Sequence, residues 1–294
     1  MKLSLMVKPP FSFAQTIAFL RSFPPCQGDY LITDRSITAA VSVRGIARAF
    51  TIRDGDPLTV EMPRHSDAET QRALLTRAAQ FIGANDDVTA LYAAAEGDPP
   101  FRAVVEQLHG LHHVRFLTLE EIAVYCVLMQ RMPIKLAAMY KRRFLERFGV
   151  PVDAEGVTLR AMPELDQLVE LDEEEIAAAI GHPRKAMLIA GVVRGIAAIG
   201  EDFLRTAPYA AARDALLAIP GVGPFSAAAI LLRGLGRMDE LPPLRQVEEA
   251  ARETYGAAYD AAAIARRYGD QIGYWSFYLR TGASRVTRGR AAAA

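Results

Sequence analysis

The chain changes its hydrophobic rhythm near its hundredth residue. Before that point apolar and polar positions alternate in short runs. KLSLMVK, DYLITD, ITAAVSV, ARAFTIRD and PLTVEM are short, β-branched and separated by turn residues such as DGDP. A period of two puts alternate side chains on one face, so these runs predict an antiparallel sheet. Between the first two runs, Phe13, Ile17 and Leu20 recur at helical spacing after Ser12, a residue type that caps helix N-termini. Residues 67–95 turn helical.

AEGDPPFRAV is a cluster of breakers, and beyond it almost every segment has helical period. It divides the chain into an N-terminal antiparallel sheet domain, 1–98, and a helical domain, 99–294. The fold class expected is α+β, a sheet with flanking helices followed by an all-α domain. In TLEEIAVYCVLM, Thr118 and Glu121 have the spacing of a capping box, and Leu119, Ile122, Cys126 and Met129 share a face. KLAAMYKRRFLERFG ends at Gly149, a C-cap candidate. MPELDQLVEL, DEEEIAAAIG, RKAMLIAGVVRGIAAIG and AARDALLAI follow as helices.

Composition narrows the class without choosing a function. The 294 residues are 51% hydrophobic and 23% charged, enough to bury substantial cores without covalent staples. Basic and acidic side chains number 34 each, which argues against wholesale neutralisation of nucleic acid but leaves room for a local basic face. Cys26 and Cys126 lie in apolar surroundings and read as buried free thiols. No run is apolar and long enough to span a bilayer, and MKLSLMVKPP is too short and polar for a signal peptide. The expected compartment is the cytoplasm.

The most pointed local pattern is IPGVGPFSAAAILLRG, Ile219 to Gly234. Gly221 and Gly223 permit backbone angles that a side chain would forbid. Placed before a helix, they let amide groups converge where the helix dipole is positive, and a phosphate fits that site. The competing reading is a close-packed turn between helices. The order apolar, Pro, Gly, apolar, Gly, two residues, Ser, Ala favours the phosphate grip. Such a grip does not by itself define an enzyme.

With these motifs in order, the chain resembles the helix–hairpin–helix DNA glycosylase superfamily, and within it the 3-methyladenine DNA glycosylase II family. LMVKPPFSFAQTIAFLRSF looks like the family's first strand, aromatic-proline turn and first helix. VRGIARAFTI looks like its sheet, VLMQRMPIKLAAMYKRRF like its glutamine-bearing helix pair, and AIGHPRKAMLIAGVVRGI like its Gly-x-x-x-Lys-Ala segment. The resemblance implies a DNA-binding protein of base excision repair that flips and excises alkylated bases, acting on duplex DNA as a monomer with no membrane partner. It implies that the amides of Gly221, Gly223, Phe225 and Ser226 hold a phosphate. It also implies that the carbonyls of Leu217, Ile219 and Val222 can hold a structural Na+ or K+, with no other cofactor required. The resemblance places Gln130, Arg131 and Met132 where the family inserts a wedge into the gap left by a flipped base; the alternative is that Gln130 and Arg131 cap and solvate a helix corner.

Three departures matter. Phe225 stands where bifunctional relatives carry a nucleophilic lysine, so no Schiff base and no lyase step are expected. The four-cysteine iron–sulfur loop of one branch is absent. Leu244 stands where the family places a catalytic aspartate, and it offers neither charge nor proton transfer. Glu248 shares a helix face with it and is the candidate substitute. Asp239, Glu240 and Glu249 lie near in sequence, with solvated surface as the reading for each. The alternative to an enzyme is a catalytically inactive relative that binds damaged DNA.

Other constellations carry less. His109, His112 and His113 read as a polar loop, with a metal site second. Lys141, Arg142, Arg143 and Arg147 read as a solvated helix face that could meet phosphate. Gln271 takes the place of the family's pocket tryptophan, and Tyr274 and Trp275 could supply either aromatic surface or core.

Overall fold

The computed structural model describes the backbone of residues 1–64 and 66–292 and the side chains of the same residues as far as Ala283. β1 (Lys2–Leu5) leads into α1 (Phe13–Arg21), where the Ser12 hydroxyl accepts from the Gln15 amide at 3.3 Å. β2 (Leu31–Ile32), β3 (Ser36–Val43), β4 (Ile46–Arg53) and β5 (Leu58–Glu61) complete an antiparallel sheet in the order β1-β5-β4-β3-β2. Arg44 and Gly45 join β3 to β4 with φ of +55° and +74°, the geometry of a two-residue hairpin turn. The Glu164 carboxylate accepts both of their amides and pins the turn.

β3 is buried along its whole length because both faces of it are covered. Ile37, Ala39, Val41 and Val43 join the main core, while Ala40 packs with Ala154, Leu159 and Ala161. The first face meets α2 (Ala68–Phe81). After α3 (Thr89–Glu96), α4 (Pro99–Gln107), α5 (Leu119–Met129) and α6 (Ile134–Phe148), the second cover is supplied by a hairpin of β6 (Val150–Ala154) and β7 (Val157–Ala161). The helical reading of the chain beyond residue 100 misses this hairpin. Its signals are the Val150, Val152 alternation and the Glu155-Gly156 turn, with φ of +55° and +80°.

The main core contains residues from both sides of position 98. Asp98 sits in the breaker cluster, yet it caps α4, and its carboxylate accepts the hydroxyls of Tyr255 and Tyr268 at 2.7 and 2.8 Å. α5 is buried on every side but its last residue. The capping box at its start is half made. Thr118 accepts from the Glu121 amide at 3.1 Å, but the Glu121 carboxylate turns to the Leu117 amide and to Lys141.

Lys141 therefore corrects the expectation of a solvated basic helix face. It is buried, and its ammonium meets Glu121, Asp29 at 2.6 Å and the Pro25 carbonyl at 3.1 Å. Burial opposes its charge, but Glu121 and Asp29 outweigh that and hold its pKa well above the usual lysine value. Cys26, Asp29 and Glu121 have the spacing of metal ligands. Lys141 is bonded to both carboxylates of that trio and supplies its positive charge.

Beyond β7 the chain is helical: α7 (Leu165–Val169), α8 (Glu173–Ile180), α9 (Pro183–Ile199), α10 (Glu201–Thr206), α11 (Tyr209–Leu217) and α12 (Pro224–Ala229). α12 runs into a π-helical segment, Ile230–Gly234, and then α13 (Arg245–Tyr255), α14 (Ala261–Tyr268) and α15 (Ile272–Ala292) follow. No helix among the described residues is long and apolar enough to cross a membrane. Cys26 and Cys126 are free and buried, as their surroundings predict.

Candidate nucleic-acid interface

α11, a short turn and α12 form a helix–hairpin–helix. The turn closes through Ile219 N to Leu216 O at 3.1 Å and Val222 N to Ile219 O at 3.0 Å, with Ile219 and Val222 buried beneath. Gly221 has φ of +93°, the left-handed region that disfavours side chains. A Cβ there would also stand 2.7 Å from the Leu188 side chain of α9. Gly223 is different: its backbone is extended, it caps α12, and a Cβ on it would meet nothing. The amides of Gly221, Gly223, Phe225 and Ser226 have no hydrogen-bond partner among the described residues. Orphan amides at a helix start form an anion site.

Two distant segments brace this turn. Gln130, the C-cap of α5, donates its side-chain amide to the Gly221 carbonyl at 2.8 Å. Lys185 of α9 donates to the carbonyls of Val127 and Gln130 at 2.7 and 3.0 Å, capping the end of α5 with a cation. Burial lowers the Lys185 pKa. Arg131 follows Gln130 with φ of +51° and is exposed. Gln130, Arg131 and the glycine turn, ninety residues apart in sequence, are therefore neighbours.

Arg131, Lys135, Arg142, Arg143 and Arg184 are exposed and form no ion pair with a described acidic residue. By contrast Lys2, Arg21, Arg35 and Arg53 of the sheet region each face a carboxylate. A neutral chain thus keeps exposed cations on α6, on α9 and next to the Gln130 brace that have no ion pair with a described acidic residue.

Leu244 is the N-cap of α13 and gives that helix no side-chain cap. It is half-buried and lines a groove of about 710 Å3 with Leu241, Pro242, Val247, Glu248, Arg252 and Tyr259. Glu248 is exposed in this groove but is engaged by Arg252 at 2.7 Å. Glu249 pairs with Arg245 at 2.6 Å, Glu240 with Arg213 at 2.7 Å, and Asp239 with Arg237 at 3.2 Å. Asp260, also in the groove, caps α14. Each acid near Leu244 is held by a partner of its own.

The histidine cluster corrects another expectation. His109 is exposed, but His112 and His113 are fully buried rather than part of a polar loop. His112 bridges the carbonyls of Gly83 and Pro10 at 2.7 and 3.0 Å. Among the described residues no histidine belongs to a group of three potential metal ligands. Tyr274 and Trp275 are core: Trp275 donates to the Tyr255 hydroxyl at 3.1 Å, and Tyr274 packs on His113 and Phe277. Gln271 is half-buried at the head of α15. Phe225 is half-buried at the start of α12.

Arg233, which the sequence does not single out, contacts His113 Nε2 at 3.0 Å. It lies in the π-helical segment, a rare geometry that no residue pattern announces.

No family model matches the chain. It is 32% identical over 167 residues to the probable bifunctional transcriptional activator/DNA repair enzyme AlkA of Mycobacterium tuberculosis, covering 56% of this chain and 33% of that protein. It is 25% identical over 158 residues to the DNA-3-methyladenine glycosylase of Bacillus subtilis, covering 53% and 52%. The chain thus spans a third to a half of the length of these relatives. The 3-methyladenine DNA-glycosylase structure from Archaeoglobus fulgidus matches the fold with a TM-score of 0.77 at 19% identity, covering 96% of this chain and 97% of that one. The fold is a sheet followed by a helical region that carries a helix–hairpin–helix, the architecture of that neighbour. Over about half of its length the chain is similar in sequence to AlkA and to a DNA-3-methyladenine glycosylase, and its fold is the one seen in 3-methyladenine DNA-glycosylase.

Proposed function

We propose that this protein grips duplex DNA through the Gly221–Ser226 turn and excises alkylated bases, as a monomer, by hydrolysing the N-glycosidic bond. The observation that carries the reading is that the amides of Gly221, Gly223, Phe225 and Ser226 have no hydrogen-bond partner among the described residues, with Arg131 exposed next to the Gln130 brace. Phosphate contacts of this kind position a protein on DNA without reading sequence. Arg131, exposed next to the brace at Gln130, fills the gap left by a flipped base, where its planar guanidinium stacks on neighbouring rings. Phe225 in place of an amine makes the reaction hydrolytic, with no lyase step. The carbonyls of Leu217 and Val222 have no hydrogen-bond partner among the described residues, and that of Ile219 has one, so all three keep lone pairs for a Na+ or K+ that would stiffen the turn.

Leu244 favours a second reading. A base alkylated at a ring nitrogen is cationic and leaves readily, so flipping alone supports slow turnover. Each described acid near Leu244 already has a partner, and each ~1.4 kcal/mol lost at the transition state costs about tenfold in rate. The second reading is a damage-binding relative without turnover. Incubation with alkylated duplex DNA, assayed for released base, separates the two. The enzyme reading expects slow release by the native protein. No release at high protein, with release restored in Leu244→Asp, establishes the binding-only reading. DNA binding unchanged by bulky residues at both Gly221 and Gly223 would overturn the grip itself.

A further inference from the structure

Tyr259 stands between two hollows in the surface. The groove of about 710 Å3 beside Leu244 and a second hollow of about 280 Å3 both have Leu241, Tyr259 and Ala261 in their walls. Ile264 of α14 and Ile272 and Trp275 of α15 line the second one, so it is largely apolar. Sites for small organic ligands have volumes of about 300–1,000 Å3, and the joined hollows are of that size.

The groove already seats a planar cation. The Arg252 guanidinium lies 5.7 Å from the Tyr259 ring centroid, inside the distance of about 6 Å at which a ring face attracts a positive charge. Among the described residues its one ion pair is with Glu248 of the same helix, at 2.7 Å. Arg252 and Glu248 are both exposed, so water screens the pair and Arg252 is easily displaced. Asp260 follows Tyr259 and lines the same groove. Its Oδ1 accepts the amides of Ala262 and Ala263 at 2.9 and 3.0 Å, while Oδ2 has no partner among the described residues. The other acids in the walls are each paired with an arginine: Glu248 with Arg252, Glu240 with Arg213 and Asp239 with Arg237. Asp260 therefore supplies the one negative charge of these walls that no described cation neutralises.

We propose that the Tyr259 face and Asp260 form a recognition site for a planar, positively charged heterocycle, such as a purine alkylated at a ring nitrogen, and that Arg252 occupies this site in the free protein. This rests on the base-excision reading and names the residues that give it charge selectivity. Arg252 is a stand-in of the same shape and sign as the ligand, and it leaves the ring when the ligand arrives. A cationic base regains the attraction that Arg252 gives up and adds that of Asp260. A neutral purine stacks on the ring but regains neither, so the site prefers the cation. Leu244 lines the same groove and brings no acid to the reaction. Selecting a base that leaves readily on its own is what such a groove requires.

Titration calorimetry of the whole chain with 7-methylguanosine and with guanosine, in mildly acidic buffer that keeps the methylated ring cationic, tests this. The two nucleosides differ by the N7 methyl group and its positive charge. 7-Methylguanosine is expected to bind several-fold more tightly. Tyr259→Phe keeps the ring face and should keep the preference, while Tyr259→Leu should abolish it. Asp260→Asn retains a good helix cap without the charge and should reduce the preference. Arg252→Gln vacates the ring and should tighten 7-methylguanosine binding several-fold. That variant alters an exposed side chain, so it reads the site even if Tyr259→Leu fails to fold. Equal binding of the two nucleosides, no binding of either, or a preference for guanosine would overturn the site. So would a preference unaltered in Tyr259→Leu, or 7-methylguanosine binding unchanged or weakened in Arg252→Gln. Release of base from alkylated duplex DNA is measured separately. Its absence alongside an intact nucleoside preference would overturn the base-excision reading and leave the site standing.

Discussion

The side-chain amide of Gln130 donates to the backbone carbonyl of Gly221 across 2.8 Å, tying the end of α5 to the turn that carries the orphan amides. The bond holds the peptide between Gly221 and Val222 in one orientation. Gln130→Met keeps the length of the side chain and removes the donor. It is expected to weaken duplex binding several-fold, with a stability loss of about 1 kcal/mol. Fluorescence anisotropy of a labelled duplex, alongside chemical denaturation, measures both. Unchanged affinity would mean that the turn holds its shape without the brace.

The two glycines of the turn are expected to respond differently. Gly221 is left-handed and packed on Leu188, so Gly221→Ala should cost about 1–2 kcal/mol in chemical denaturation. Gly223 is an extended N-cap with open space around it, and serine is also a good N-cap. Gly223→Ser should leave stability within about 0.5 kcal/mol. It should still weaken DNA binding, because the new side chain stands where a phosphate approaches the amides. Equal stability losses at the two positions would contradict the geometry.

Much of this site could be read in the sequence, and the unread parts have physical reasons. The strand pattern, the Ser12 cap and the glycine turn are local, so residue order carries them. The Gln130–Gly221 bond is not local, and only the resemblance placed both residues on the DNA side. Lys141 read as solvated because a helix rich in basic residues normally is; Asp29 and Glu121, distant in sequence, reverse that. His112 and His113 read as a loop because HGLHHV has no period, yet the irregular segment is buried, with the His112 ring on two carbonyls and the His113 amide on the Tyr274 hydroxyl. The contact of Arg233 with His113 joins residues 120 apart, which no motif encodes.

Lys141 makes a strong stability prediction. Its ammonium is buried with two carboxylates, and removing one partner leaves the others uncompensated. Lys141→Met is expected to cost about 3–5 kcal/mol by chemical denaturation. Adding Glu121→Gln to that variant should recover part of the loss, because it removes the stranded charge. A double variant less stable than Lys141→Met alone would show that Glu121 matters through other contacts.

His113 predicts a pH dependence. Its burial, and then the positive charges of Arg233, Arg115 and Arg280, push its pKa well below the usual 6.5. The folded protein keeps this ring neutral while the unfolded chain takes up a proton below about pH 6.5. More protons on the unfolded state mean that stability falls as pH falls. The contribution is fully present above pH 6.5 and is lost progressively below it, at up to about 1.4 kcal/mol per pH unit. Glutamine cannot titrate, so His113→Gln should flatten the stability profile by that slope between about pH 6.5 and 5. Urea midpoints measured across this range for both proteins give the comparison. Parallel profiles would mean that the folded protein protonates His113 as readily as the unfolded chain does.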